Sequence, residues 1–266
     1  MKTKFKDLTI WITGASSGLG EALSIAFAQK GATIVLSGRN EEKLEQVKKQ
    51  CKKPKKHFVI PFDISDVEQA KEAYEIAIEK AGKIDWLINN AGVSQRSLIM
   101  DTSEAVERQI MEVDYFAQTR LTRLVLPEMI AQGGGKIVMV SSIAGLVGTQ
   151  YRGAYSAAKA AIHLWANSLR AELYDNGIEV ATIFPGFIKT NVSINALTGD
   201  GSVQGTMDEA TSNGLTATAF AKQVVKALSK DKEYIIVGGR QEKLATRVNR
   251  LSPPKLYKLI RQSQVK

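Results

Sequence analysis

At 266 residues and 44% apolar composition, the chain is long enough for one α/β domain with a sizeable core, and its single cysteine, Cys51, excludes an intrachain disulfide and a cysteine metal cluster. The net charge is +9, but eight Lys or Arg against Glu242 place +7 of it in residues 240–266 and leave +2 on the other 239. A basic tail on a nearly neutral body argues against a nucleic-acid-binding core, no metal is expected, and no segment approaches the ~20 apolar residues of a membrane span.

Met1 to Lys6 is basic, but Leu8 to Ile12 is too short for a signal-peptide core and reads as a first strand; the reducing cytoplasm is the expected compartment. That strand runs into Thr13-Gly14-Ala15-Ser16-Ser17-Gly18-Leu19-Gly20 and then a helical pattern carrying Leu23, Ala26 and Phe27. Strand, glycine turn and helix form the context of a phosphate-binding turn, because glycines let the backbone approach a pyrophosphate at a helix N-terminus. The spacing is Gly-x-x-x-Gly-x-Gly and departs from the more general Gly-x-Gly-x-x-Gly. Taken alone, the glycines also fit a purely structural turn.

Thr33 to Ser37 is the second strand, ending in Gly38-Arg39-Asn40. In dinucleotide folds this strand end faces the adenosine ribose, where an acid selects a free 2′-hydroxyl. No acid stands there, and Arg39 offers a planar fork of donors suited to a 2′-phosphate, so NADP(H) is expected over NAD(H). A solvated arginine at a strand end is the competing reading.

Glu41 to Gln50 is a polar helix leading into a lysine-rich loop, and neither Cys51 nor His57 beside it looks catalytic. Phe58 to Phe62 is a third strand with Asp63-Ile64 at its end; Val67 to Ala81 is an amphipathic helix; Asp85 to Asn89 is a fourth strand leading into Asn90-Ala91-Gly92. Ser103 is a candidate N-cap for one long helix from Glu104 to about Gln132, ended by three glycines. Lys136 to Val140 is the fifth strand and delivers Ser141 and Ser142 to the carboxyl edge of the sheet. Strands alternating with helices of this length predict a Rossmann-type doubly wound parallel sheet of about seven strands, with helices on both faces, in a single domain.

Thirteen positions after Ser142, Tyr155-Ser156-Ala157-Ala158-Lys159 places a tyrosine and a lysine one turn apart on one helix face. A tyrosine hydroxyl ordinarily titrates near pH ~10, so acid-base work near neutrality needs a nearby fixed positive charge, and Lys159 supplies one. Tyr-x-x-x-Lys alone arises often by chance. With Ser142 at this spacing and the glycine turn upstream, it marks a catalytic set. The alanines of this helix permit close packing, at a subunit interface or within the molecule, and His163 reads as a packing or surface residue. Glu179 to Phe184 is the sixth strand, ending at Pro185-Gly186.

From Phe187 to Leu215 regularity is lost, and a long loop after a strand's carboxyl end is read as a substrate lid. Thr216 to Ser229 is a helix and Tyr234 to Val237 a last strand. The expected division is a dinucleotide-binding catalytic domain over 1–239, containing the lid at 187–215, and a basic amphipathic extension over 240–266. In that tail Leu244, Val248 and Leu251 fall at helical spacing before Pro253-Pro254, and Leu256, Tyr257, Leu259 and Ile260 follow. Such a stripe packs on its own domain; the weaker reading is peripheral contact with an anionic membrane.

Taken together, Thr13-Gly14-x-x-x-Gly18-x-Gly20, Asp63, Asn89-Asn90-Ala91-Gly92, Ser142, Tyr155-x-x-x-Lys159 and Pro185-Gly186 resemble the short-chain dehydrogenases/reductases, in order and over nearly all of residues 8 to 239. Phe187-Ile188-Lys189-Thr190-Asn191 and the lid look most like the hydroxysteroid-dehydrogenase-like branch, which includes membrane-anchored animal members; no N-terminal anchor is expected here. The resemblance implies that Tyr155 exchanges a proton with the substrate oxygen, that Ser142 hydrogen-bonds that oxygen, and that Lys159 holds the nicotinamide ribose and favours the tyrosinate. It implies cofactor contacts from Gly14, Ser16, Ser17, Gly18, Leu19, Gly20, Arg39, Asp63 and Ile64, with Asp63 near adenine. It implies more from Asn90 near the ribose, Ala91, Gly92, Tyr155, Lys159, Pro185, Gly186, and Thr190 near the nicotinamide amide. It implies a homodimer or homotetramer.

One position departs: where the family usually has an asparagine on the long helix, this sequence has Asp114 in Met111-Glu112-Val113-Asp114-Tyr115. An aspartate can still hold a water of the proton relay, but its charge alters the balance around Tyr155 and Lys159. The expected activity is hydride transfer between NADP(H) and an apolar ketone or aldehyde, with steroid, retinoid and lipid carbonyls in range. The competing readings are a dinucleotide-binding regulatory protein with reduced catalysis, for which Asp114 is the only support, and a membrane-surface protein using its tail.

Overall fold

The structure is a computed structural model that describes residues 5–262; Met1 to Lys4 at the head of the basic start, and residues 263–266 of the tail, lie outside them. Seven strands form one sheet in the order β3-β2-β1-β4-β5-β6-β9, every pair parallel. They are β1 (Thr9–Thr13), β2 (Thr33–Gly38), β3 (Phe58–Pro61), β4 (Trp86–Asn89), β5 (Gly135–Val140), β6 (Ile178–Pro185) and β9 (Tyr234–Val237). The order turns back beside β1, so the connections leaving the carboxyl ends of β1 and β4 run to opposite faces and leave between them the crevice in which α/β sheets bind ligands.

Both faces of the sheet are apolar, as a parallel sheet covered on two sides requires. In β1, Ile10 and Ile12 point into one core with Leu23 and Phe27 of α1 (Gly18–Gln29), Leu44 of α2 (Glu41–Gln50) and Val224 of α8 (Ala217–Leu228). Trp11, one residue out of phase, points into the other core, with α3 (Val67–Ala81), α5 (Ala117–Ala131) and α6 (Gly153–Glu172). The expected bounds of α2, α3 and β9 match, and the other core strands differ by one residue at one or both ends.

Two expectations are corrected. The long helix is not uniform: α4 (Glu104–Met111), capped by Ser103, passes through a π-turn at Glu112–Phe116 before α5. The periodicity of 3.6 cannot reveal one inserted residue, and the turn rotates Asp114 inward. Residues 187–215, expected to form an irregular lid, are also not irregular. They hold β7 (Ile188–Lys189) paired with β8 (Leu215–Thr216), and α7 (Glu209–Ser212). They are stitched to the loop after β4 by Arg96 N to Leu197 O and Leu197 N to Ser94 O, both 2.8 Å. Those partners lie about a hundred residues away in sequence, beyond any local pattern.

The tail forms α9 (Arg240–Leu251) and α10 (Pro253–Gln262), which pack back on the domain. Glu242 Oε1 accepts the Phe187 N–H at 2.8 Å, Asn249 Nδ2 donates to Leu146 O at 2.7 Å, and Leu256 is buried. Leu244, Leu251 and Tyr257 stay exposed. Among the described residues no helix is long and apolar enough to cross a membrane.

Candidate active site

The glycine turn takes its shape from residues that only glycine satisfies. Gly14 and Gly18 have φ of +64° and +60°, and a Cβ on Gly20 would stand 2.2 Å from the Gly14 carbonyl oxygen. Ser17, extended at the start of α1, makes no side-chain cap, so the N–H groups of the first helical residues keep no side-chain partner from it. Leu19 turns its side chain into the core and offers the turn only backbone. Thr13 Oγ1 accepts the N–H groups of Asn90 and Ala91 at 3.0 and 3.1 Å, and Asn90 Nδ2 donates to Thr13 O and Gly14 O at 2.9 and 3.2 Å. Asn90 therefore braces the turn in addition to any ribose contact. Cys51 and His57 are remote from this chemistry. Burial pushes the Cys51 thiol up to about 11, and His57 accepts the Ile34 N–H on Nδ1 and lies 2.9 Å from Lys52 O through Nε2.

At the end of β2 Arg39 is largely exposed, and Ser16 Oγ lies 3.4 Å from where a Gly38 Cβ would be. The end of β2 carries no acid, but Asp63 from the end of β3 comes within 4.0 Å of Arg39, and Ser65 anchors the Asp63 carboxylate through its N–H and hydroxyl at 2.9 and 2.6 Å. Ile64 is buried beside it. At the other end, Thr190 of the lid crosses the glycine turn, its Cβ 3.3 Å from where a Gly18 Cβ would stand. The two ends of the turn thus meet residues from β2, β3 and the lid, an arrangement that fits a dinucleotide: backbone donors for the pyrophosphate, and an arginine with a hydroxyl for the adenosine side.

Lys159 is the hub of the candidate set. Its ammonium lies 5.8 Å from the Tyr155 ring centroid, 3.3 Å from Asp114 Oδ2, and donates to Val140 O at 3.2 Å. Asp114 is fully buried, its Oδ1 accepting the Val93 N–H at 2.8 Å; burial raises its carboxyl above the usual range, opposed by the Lys159 charge. Gly92 must lack a side chain, since a Cβ there would lie 3.0 Å from Asp114 Oδ1 and 3.2 Å from Lys159 Nζ. Ser141 Oγ donates to Lys159 O at 2.7 Å and locks α6 to the end of β5, which carries Ser142 beside it. Ser142 Oγ accepts the Ala144 N–H at 3.1 Å and reaches Pro185 O at 3.4 Å, while Glu242 packs against Gly186.

Gln95, Arg96, Arg152 and Asp208 escape sequence reasoning. Gln95 Oε1 accepts the N–H groups of Ala154 and Tyr155 at 2.9 and 3.3 Å, capping the helix that carries the tyrosine. Arg96 and Arg152 both reach Asp208 of the lid. A signal was present in two arginines flanking the Asn89-to-Gly92 and Tyr155 motifs, but their shared carboxylate lies 112 and 56 residues away. His163 packs edge-on against Phe184 at 4.9 Å, away from this set.

Comparison with known proteins agrees with this geometry. The sequence profile described as "short chain dehydrogenase" matches residues 8–200. The chain is 39% identical over 257 residues to Dehydrogenase/reductase SDR family member 7B of Xenopus laevis, covering 94% of this chain and 79% of that protein. It is 35% identical over 262 residues to Dehydrogenase/reductase SDR family protein 7-like of Drosophila melanogaster, covering 97% and 80%. Among solved structures, a short-chain dehydrogenase from Streptomyces avermitilis superposes with a TM-score of 0.79 at 26% identity, over 97% of this chain and 98% of that one. A short chain dehydrogenase from Burkholderia cenocepacia in complex with NADP shares the fold, with a TM-score of 0.81 at 24% identity over 98% and 100%. By profile, by relatives and by fold, this chain is a member of the short-chain dehydrogenase/reductase family of oxidoreductases.

Proposed function

We propose that the chain transfers hydride between NADP(H) and a carbonyl or alcohol substrate, with an apolar ketone or aldehyde as the carbonyl form and Tyr155 as the acid-base group. The observation that carries this reading is the Lys159 ammonium placed over the Tyr155 ring while Asp114 and Val140 O hold it from behind. When bound, the nicotinamide supplies or accepts the hydride. Tyr155 gives a proton to the carbonyl oxygen in reduction and removes one from the alcohol in the reverse direction. Ser142 Oγ, fixed by the Ala144 N–H, donates to that oxygen as its charge develops, and the buried Lys159 ammonium stands beside the Tyr155 ring. Arg39 and Ser16 receive the 2′-phosphate, which is why NADP(H) is preferred.

Titration with NADPH and NADH tests the cofactor assignment: tenfold tighter NADPH, about 1.4 kcal/mol, is expected. Equal binding would overturn Arg39 as the selector without touching the redox reading. Tyr155→Phe should retain NADPH binding and lose turnover of an aldehyde panel by about 10²-fold or more. Turnover left intact in that variant would overturn the assignment of Tyr155.

Residues 1–239 act as the catalytic unit with 187–215 as its lid, in the cytoplasm, as a homodimer or homotetramer. Exposed Phe116 on the π-turn and Leu164 on α6 support such an interface. The exposed Leu244, Leu251 and Tyr257, interspersed with exposed Arg247, Arg250, Lys255 and Lys258, support a second role for the tail in touching an anionic membrane.

A further inference from the structure

Arg152 stands three residues before Tyr155, and its side chain is only 6% exposed. Its guanidinium lies 5.5 Å from the Phe187 ring centroid, at the hinge of the lid. Its one hydrogen bond runs from Nη2 to Asp208 Oδ2 and is long, 3.3 Å. Among the described residues, no protein acceptor meets its Nε or Nη1.

Asp208 is already committed elsewhere. Its Oδ2 takes Nε of Arg96 at 2.7 Å and also Nη2 of Arg96, and its Oδ1 takes Gln204 Nε2 at 2.9 Å. Arg96 spends its remaining donor on Ser94 Oγ and Gln95 O, at 2.7 and 2.6 Å. The cluster therefore holds two guanidinium groups against one carboxylate, with all three side chains at most 8% exposed. One positive charge is left over, on the arginine whose donors are unfilled. Burial and the neighbouring Arg96 lower Arg152 to about 10, so it stays charged at neutral pH.

A strap that pins the lid needs one cation for one carboxylate, and Arg96 already meets that need. A surplus buried cation with open donors is costly unless an anion completes it. Beyond the Asp208 pair, the groups it interacts with include Tyr155, by charge, and the Phe187 ring, and none of its contacts is with the glycine turn or with Arg39. We propose that Arg152 binds an anionic group, a carboxylate or a phosphate, that the substrate carries within a few bonds of its reacting carbon. The planar fork of Arg152 takes two oxygens of that group and orients the carbonyl toward Tyr155 and Ser142. The assignment rests on the redox reading above and replaces its apolar carbonyl with one that carries an acidic head.

The test separates binding from turnover. In the Tyr155→Phe protein saturated with NADPH, dissociation constants are measured by calorimetry for 4-oxopentanoate against its methyl ester, and for hydroxyacetone phosphate against hydroxyacetone. The anionic member of at least one pair should bind tenfold or more tightly than its neutral partner; which pair shows the effect distinguishes carboxylate from phosphate. Adding Arg152→Met, which leaves the Arg96–Asp208 pair intact, should reduce that preference to within twofold while NADPH affinity is unchanged. Arg152→Lys, which keeps the charge and loses the fork, should retain a reduced preference.

Equal or undetectable binding of all four compounds overturns the proposal. So does Arg152→Met if it weakens acid and ester alike, which is the signature of a lid strap, or if the preference survives the substitution. Wild-type protein that binds the anion through Arg152 yet turns over neither pair would overturn the redox reading alone.

Discussion

Asp114 exchanges a neutral side chain for a charge at the point where Lys159 is held, and the exchange is conservative in geometry but not in electrostatics. Its carboxylate keeps the bond to Val93 and pairs with Lys159, so the ammonium that faces Tyr155 is partly neutralised from behind. In Asp114→Asn the Val93 bond survives and the negative neighbour goes. The pH profile of kcat/KM for alcohol oxidation should move to lower pH, with kcat at the new optimum within about tenfold of the parent. An unmoved profile would show that the charge does not reach Tyr155.

His57 offers a stability test. It is buried as an acceptor for Ile34, and burial lowers its pKa below the ordinary 6.5. The unfolded chain then binds the proton more readily than the folded one, so stability is full above about pH 6.5 and is lost as pH falls below it. His57→Gln should flatten that acid limb in urea titrations between roughly pH 7 and 5. At this scale Ser142, Tyr155 and Lys159 were legible because helix spacing and strand ends place them, and Asp114 was legible only through the family resemblance. Arg152 and Asp208 were not, because their meaning lies in a count of charges brought together by the lid.

Among the elements, the glycine turn carries the tightest constraint. A Cβ on Gly20 would stand 2.2 Å from the carbonyl oxygen of Gly14 and 2.6 Å from Asn90 Nδ2, so relief requires moving backbone and the brace together. Gly20→Ala should weaken NADPH binding by more than tenfold in a fluorescence titration, and lower stability by about 1–3 kcal/mol, in the range of overpacked sites. Strands and helices of this sheet were readable nearly to the residue, since apolar runs and caps are local signals. The π-turn was not, because one extra residue leaves the surrounding apolar spacing almost unchanged while turning Asp114 inward. The lid was read as unstructured for a different reason: Leu197 and Gly199 find their backbone partners at Ser94, Arg96 and Ser103, not beside themselves.

Over the whole molecule, the tail is fastened to the active-site edge through Glu242, whose carboxylate holds the Phe187 N–H and fills the space beside Gly186 and Gly239. Glu242→Ala leaves that half-buried donor without its partner, at a cost of about 0.5–1.5 kcal/mol. The expected readout is a Tm lower by about two to four degrees, with KM raised more than kcat is changed, because Phe187 at the start of residues 187–215 loses its anchor. Deleting residues 240–266 should abolish any sedimentation with anionic liposomes; sedimentation that persists would place membrane contact elsewhere.

The order of the sheet also constrains how the molecule comes into being. β1 leaves the ribosome before the other strands of the sheet and sits between β2 and β4, yet its pairing with β4 must wait for Trp86 and its neighbours to be made. Until then the five wholly buried residues of β1 have one open edge, and every later strand docks in parallel across a long intervening segment. Parallel, non-local pairing of this kind folds slowly and exposes apolar edges while it does so. The nascent chain, rather than the finished enzyme, is therefore the form most in need of a chaperone.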